Sequence, residues 1–341
     1  NIFFIGLLTY VVYRVFETNG DRTAPVMAGA MFLVMFAFAK YFPMGSYNFV
    51  APYSHELVHG TLVSFSAIYM LKCYLRGNRL LCIGAAGFFV GLAMLTKVEV
   101  AVSAAVAVAA GLLIIMRLER PEPGRVKKAV MIFASGLMIP IVVSIGFLSF
   151  HMGVGTAVRG VFGSWLIIAT TGIASSSFYT RMMGLDKAGQ NLGLVFTYGL
   201  GWASVILVPL AATYLLAGNL LARRYALAVA LVVSVGVALY FFNSVSWLLI
   251  FRPLPLFVIV IIIVLSAGLI RSKPDRDYLA KVVPLLSLAI FSLLMLLKIA
   301  LNSQLNGYGF VLAMPGALLT LYMILAWLPQ AMEKIWGTSA I

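Results

Sequence analysis

Runs of about 20 mostly apolar residues, the length a helix needs to cross the hydrocarbon core of a bilayer, recur along all 341 residues of this chain. In hydrocarbon each backbone N–H and C=O must be paired within its own segment, so single apolar runs of this length fold as helices. The residue balance agrees. Hydrophobic residues make up 63%, mean hydropathy is +1.06 and only 10% of residues are charged, against roughly 25% in soluble domains. The sequence predicts an all-α polytopic membrane protein forming a single transmembrane domain.

Eleven spans are expected, at 1–16, 25–43, 61–75, 79–96, 99–116, 127–150, 193–217, 225–242, 248–270, 282–300 and 311–329. The apolar run from Arg79 to Arg117 is too long for one helix. It is divided at Thr96-Lys97-Val98-Glu99, because two charges inside hydrocarbon are costly and belong at a turn or in a polar cavity. The longest segment without a span is 151–192. There Trp165-Leu166-Ile167-Ile168 and Phe178-Tyr179 alternate with Gly, Ser and Thr, and Arg159, Arg181 and Lys187 are spread between them. That pattern predicts short helices lying in the membrane interface, and two readings stay open: a cover over a lateral opening through which a lipid enters, or an ordinary interfacial loop. Asn1 stands inside an apolar run without an initiator Met, so the chain reads as a fragment, with further sequence expected ahead of Asn1.

The net charge of +14 reads as basic cytoplasmic loops, not as nucleic-acid binding. Arg14, Arg22, Lys72, Arg76, Arg79, Arg117, Arg120, Arg125, Lys127, Lys128, Arg223, Arg224, Arg271, Lys273, Arg276, Lys281 and Lys334 fall on one side of the alternating spans. That side is expected to be cytoplasmic. Lys40, Lys97, Arg159, Arg181, Lys187, Arg252 and Lys298 fall on the other. Of the ten acids, only Glu56, Glu99 and Asp186 share that outer side. Cys73 and Cys82 flank one short basic loop and suggest no disulfide framework.

The most polar stretch between the early spans is Tyr47 to Gly60, which holds two of the three histidines. Its core, His55-Glu56-Leu57-Val58-His59, matches the H-E-x-x-H pattern of zinc proteases. On a helix His55 and His59 lie one turn apart, with Glu56 as base, and a third ligand would come from His151, Glu99 or Asp186. The competing reading starts from Lys97, a point charge that suits a phosphate, beside carboxylates and histidines that suit sugar hydroxyls or proton transfer. The bland reading of Lys97 is a side chain snorkelling to the interface and paired with Glu99 at i,i+2, which is poor helix geometry.

Gly87-Phe88-Phe89-Val90-Gly91-Leu92-Ala93-Met94-Leu95-Thr96-Lys97, after the basic loop Arg76-Gly77-Asn78-Arg79, resembles a segment of the GT-C membrane glycosyltransferases. These include the dolichyl-phosphate-mannose–protein mannosyltransferase-like bacterial enzymes and the relatives of the aminoarabinose lipid A transferase. Asn48–Gly60 resembles their second outer loop, and Tyr308-Gly309-Phe310-Val311-Leu312-Ala313-Met314-Pro315 a late span. The resemblance implies a helix bundle in a bacterial inner membrane, with its active site facing the periplasm or exterior. It implies transfer of a sugar from a polyprenyl-phosphate donor to a lipid, glycan or protein acceptor. A divalent metal is compatible with this and not demanded. Lys97 matches the family's lysine after Gly-Leu-Ala, while the resemblance implies a first helix and a first outer loop ahead of Asn1, that loop carrying the family's acidic catalytic residue. Tyr53, His55, Glu56, Glu99, Arg252 and Tyr308 are the further substrate-binding candidates.

Around them, Lys298, Asn302, Gln304 and Asn306 cluster at the turn before the last span, and Asp186 and Lys187 pair most simply with each other in solvent. Trp165, Trp202 and Trp247 read as interfacial belt residues. Two rival classes stay open: a membrane zinc protease built on His55 and His59, and a lipid or solute transporter. The few charges expected within the spans argue against a proton-coupled carrier.

Overall fold

The computed structural model describes residues 1–18, 22–41, 47–172, 176–215, 225, 228–229, 232–233, 235–236, 245–271 and 275–330. The expected span 225–242 lies largely outside the described residues, as do Arg223, Arg224, Lys273 and Lys334. Helices account for most of the described residues, which contain no strand. In order they form α1 (Ile2–Phe16), α2 (Thr23–Met31, continued by a π-helical turn Phe32–Ala37), α3 (His55–Gly77), α4 (Leu80–Met94), α5 (Val98–Glu119) and α6 (Pro123–Met152). Then follow α7 (Val154–Thr170), α8 (Ser177–Met183), α9 (Ala188–Leu215), α10 (Leu254–Arg271), α11 (Arg276–Leu296), α12 (Gly309–Leu312) and α13 (Met314–Tyr322).

Five helical stretches among the described residues are long and apolar enough to cross a membrane: Val98–Glu119, Pro123–Met152, Trp247–Arg271, Arg276–Ile299 and Gly309–Gln330. This is a helical membrane protein. The division of the 79–117 run falls where the two charges placed it, since α4 ends at Met94 and α5 begins at Val98 with Lys97 as its N-cap. The 151–192 segment contains two helices, α7 and α8.

α11 is the axis of the bundle. Of its apolar stretch 72% is buried, against 17% for α6 at the periphery. Around α11 pack α3, α5, α10 and α13, with α1 and α4 against α3. Lipid tails are as apolar as leucine, so helices in a bilayer associate through close packing, and small residues permit it. Gly87 and Gly91 show this on α4. A Cβ at Gly87 would stand 2.2 Å from the Phe133 carbonyl oxygen, and one at Gly91 2.2 Å from that of Leu137, both on α6. From the α6 side, a Cβ on Gly136 would stand 2.1 Å from the Gly84 oxygen.

The alternation of helices sorts charge to two ends. At the basic end Lys72, 1% exposed, donates its ammonium to the carbonyl oxygens of Arg14 (2.7 Å), Val15 (2.9 Å) and Glu17. Those carbonyls terminate α1 and have no helical partner of their own. Arg14 pairs with Glu17 at 3.2 Å, and Arg276 pairs with Glu119 at 3.0 Å. At the opposite end the 47–54 segment folds back on the π-helical turn, with Phe49 N–H donating to Phe36 O at 3.3 Å.

Candidate functional site

The end of the bundle opposite the basic loops gathers residues from four separate stretches of the chain. Ser54 precedes α3, and its hydroxyl donates to Glu56 Oε2 at 2.8 Å, in the first helical turn. A carboxylate there is favoured by the unpaired N–H groups at a helix start. Gly60 presses this turn onto the α4–α5 corner. A Cβ at Gly60 would stand 2.7 Å from Thr96 Oγ1 and 2.9 Å from Val100 Cγ1. The close approach sets Glu56 beside the corner that carries Lys97.

Lys97 is half-buried, with its Nζ 5.0 Å from the ring centroid of Tyr308. Among the described residues no carboxylate lies within ion-pair distance of it. Burial holds its ammonium below the usual lysine range; Glu99 opposes that shift, Lys298 adds to it and Glu56 opposes it. The i,i+2 pair of the bland reading is not what forms. Glu99 reaches instead to Lys298, 2.5 Å away at the end of α11. Lys298 is enclosed, its Nζ lying 5.4 Å from the Tyr308 ring and 5.7 Å from the Tyr179 ring of α8. Tyr308 therefore faces two ammoniums, a favourable arrangement for a ring with a negative face. Burial also lifts the Tyr308 phenol above its usual range.

Further aromatics complete this end. Tyr47, Tyr53 and Tyr308 lie 5.6 Å (Tyr47–Tyr53), 6.1 Å (Tyr53–Tyr308) and 6.4 Å (Tyr47–Tyr308) apart. Tyr53 is 65% exposed. Phe310 and Phe49 pack behind them, 5.6 Å apart. Tyr47 and Tyr179 fall within stretches that the sequence marks, but neither is among its substrate-binding candidates. Nothing in their local sequence distinguishes them from belt tyrosines, because their positions depend on folds of the chain far from Lys97.

Arg252 behaves differently. It is 6% exposed, and its Nη1 donates to Asn191 Oδ1 at 2.9 Å and to the Leu301 carbonyl at 2.6 Å. It ties the start of α9 to the 297–308 turn, while its buried Nε has no hydrogen-bond partner. Of the tryptophans, Trp165 donates Nε1 to Met94 O at 3.4 Å and Trp202 donates to Ile250 O at 2.9 Å. The first of these bonds seats α7 on the end of α4. Asp186 and Lys187 are both exposed and form no ion pair with each other.

The histidines of the H-E-x-x-H stretch lie 5.9 Å apart, ring to ring. His59 packs 4.5 Å from the Phe4 ring, with its Nε2 buried and unpartnered, and His55 is exposed. His151 is exposed against Phe147 at the end of α6. Among the described residues no group of three or more His, Cys, Asp or Glu is placed to hold a metal. Against family models, curated proteins and solved structures, the chain matches none.

Proposed function

We propose that the chain crosses the membrane eleven times with Lys97 facing the periplasm or exterior, and that this end of the bundle binds a polyprenyl-phosphate sugar and transfers the sugar to an acceptor. The observation that carries the reading is the state of Lys97. It is a half-buried ammonium resting on Tyr308, with no carboxylate of its own, beside a second lysine already neutralised by Glu99. An ammonium left in that state is matched by an incoming phosphate oxygen. The resemblance of the Gly87–Lys97 segment to GT-C transferases supports the same substrate class.

In this account the bond that breaks joins the sugar's anomeric carbon to the phosphate oxygen, and the polyprenyl phosphate leaves against Lys97. The bond that forms joins the same carbon to an acceptor hydroxyl, whose proton passes to a base. A lipid phosphate is already a competent leaving group, so the protein's task is to hold it in line and to deprotonate the acceptor. Glu56 and His55 stand exposed on the rim, where they orient sugar or acceptor hydroxyls. Tyr53 offers an exposed ring to the apolar face of a pyranose.

The test is turnover by the full-length protein in proteoliposomes supplied with polyprenyl-phosphate-linked sugars and a membrane extract as acceptor. The reading requires donor consumption with release of polyprenyl phosphate. No consumption of any donor, together with one tightly held zinc per chain, would move the assignment to the protease reading. The two histidines alone do not favour that alternative, since a catalytic zinc site uses three protein ligands.

A further inference from the structure

The Lys97 corner holds a second ammonium whose charge a single phosphate does not need. Lys97 and Lys298 rest against the same ring, their Nζ atoms 5.0 and 5.4 Å from the centre of Tyr308. The ring keeps them within ~10 Å of each other, the screening length at about 0.1 M salt, so both act on an anion bound there. Glu99 separates their duties. Its Oε1 stands 2.5 Å from Lys298 Nζ, with the carboxylate side chain 26% exposed and that of the lysine 17%. Glu99 stands next but one to Lys97 in the chain and 199 residues from Lys298, yet it pairs with the distant lysine.

An anion arriving at Tyr308 therefore meets two lysines with a carboxylate already on one of them. Glu56, exposed and bonded by the Ser54 hydroxyl, adds negative charge at the rim. Arg181 of α8 stands in solvent, where screening weakens it. Among the described residues, the half-buried part of the corner leaves the single charge of Lys97 to be matched. A donor whose sugar and isoprenoid are joined through one phosphate carries one negative charge there, and Lys97 answers it. A diphosphate linkage carries two. Its second charge would face Glu99 with no free cation between them, and like charges brought together in this way are penalised.

We propose that Glu99 is the residue that restricts the donor: by neutralising Lys298 it admits a sugar linked to its lipid through one phosphate and turns away one linked through two. This rests on the reading of Lys97 as the lysine of the donor phosphate. Glu99 acts as a specificity residue through Lys298 and needs no contact with the donor. Tyr179 and Tyr308 both lie against Lys298, so loss of the carboxylate frees the charge of Lys298 while the rings keep its ammonium at the corner.

Calorimetric titration of the full-length protein in detergent tests this with two donors, farnesyl-phosphate-linked glucose and farnesyl-diphosphate-linked glucose. EDTA is present, because a divalent cation would neutralise the diphosphate. Wild type should bind the monophosphate donor about tenfold more tightly. Glu99→Gln should bring the two affinities within about twofold of each other, chiefly by a gain for the diphosphate donor. Glu99→Gln combined with Lys298→Gln again leaves one cation and should restore the wild-type preference. Damage to the fold lowers both affinities together and produces neither the gain nor its reversal. Equal wild-type affinities, an unchanged preference in Glu99→Gln or no restoration in the double variant would each overturn the role of Glu99. Loss of monophosphate-donor binding in Lys97→Ala would then show that the donor reading itself still stands. If wild type binds neither donor, both fall.

Discussion

At the basic end Lys72 meets three helix-terminal carbonyls, and Arg14, Arg76 and Arg276 each meet a carboxylate. What these charges hold together is helix ends. At the opposite end Lys97 meets the face of a tyrosine, and Glu99 of the same corner pairs with Lys298, 199 residues away. The first set is satisfied by the fold itself. The second leaves one cation without an anion. Neighbouring charge of both signs is thus compatible with two different duties, and the partner of each group tells them apart, not its abundance.

Substitutions at the two ends should part company, and the fold itself sets the upper limit on effect size. Gly91→Leu drives a side chain into the Leu137 carbonyl and should separate α4 from α6, at a cost of about 3 kcal/mol or more. Thermal unfolding in detergent should show a large loss, and an unchanged midpoint would mean that the two helices do not pack as described.

Next comes Lys72→Met, which keeps the side chain's volume and removes the donor to the end of α1. It should cost about 2 kcal/mol while donor binding by the folded protein stays within about twofold of wild type. A collapse of donor binding without loss of stability would erase the distinction between the two ends.

Glu99→Gln breaks the pair with Lys298, which Tyr179 and Tyr308 continue to enclose. The expected loss is about 1 kcal/mol, smaller than that of Lys72→Met. The smallest effect is in pH. Burial holds the Lys97 ammonium below the usual lysine range, and the charged form is the one that binds phosphate. Donor affinity should therefore fall as pH rises, starting below the value near 10.4 typical of a free lysine. Titration of a farnesyl-phosphate analogue between neutral and alkaline pH would show it, and a flat profile would detach Lys97 from the anion.

How much of this was legible in the sequence differs between the same two ends. The helices, the corner at Lys97 and the sorting of basic residues follow from hydropathy and from the cost of charge in hydrocarbon, which act locally. They place Lys97, Glu99, Glu56 and His55 at one end before any contact is known. The Glu99–Lys298 pair was not legible, because its partners come from helices far apart in the chain. The Gly87–Gly91 spacing was legible as a motif and carries a further meaning in the fold, where both glycines lie against α6 backbone. Arg252 stood among the substrate-binding candidates. The fold buries it and commits it to Asn191 and Leu301, which no local pattern reveals.

The central claim is that Lys97 holds the donor phosphate. The most direct measurement is sugar-transfer turnover by Lys97→Ala in the full-length protein, with its thermal unfolding recorded alongside. The account predicts an unchanged unfolding midpoint and turnover reduced on the order of 10²-fold, with little recovery in Lys97→Arg, whose planar fork does not replace a point charge on Tyr308. Turnover near wild type in Lys97→Ala would contradict it.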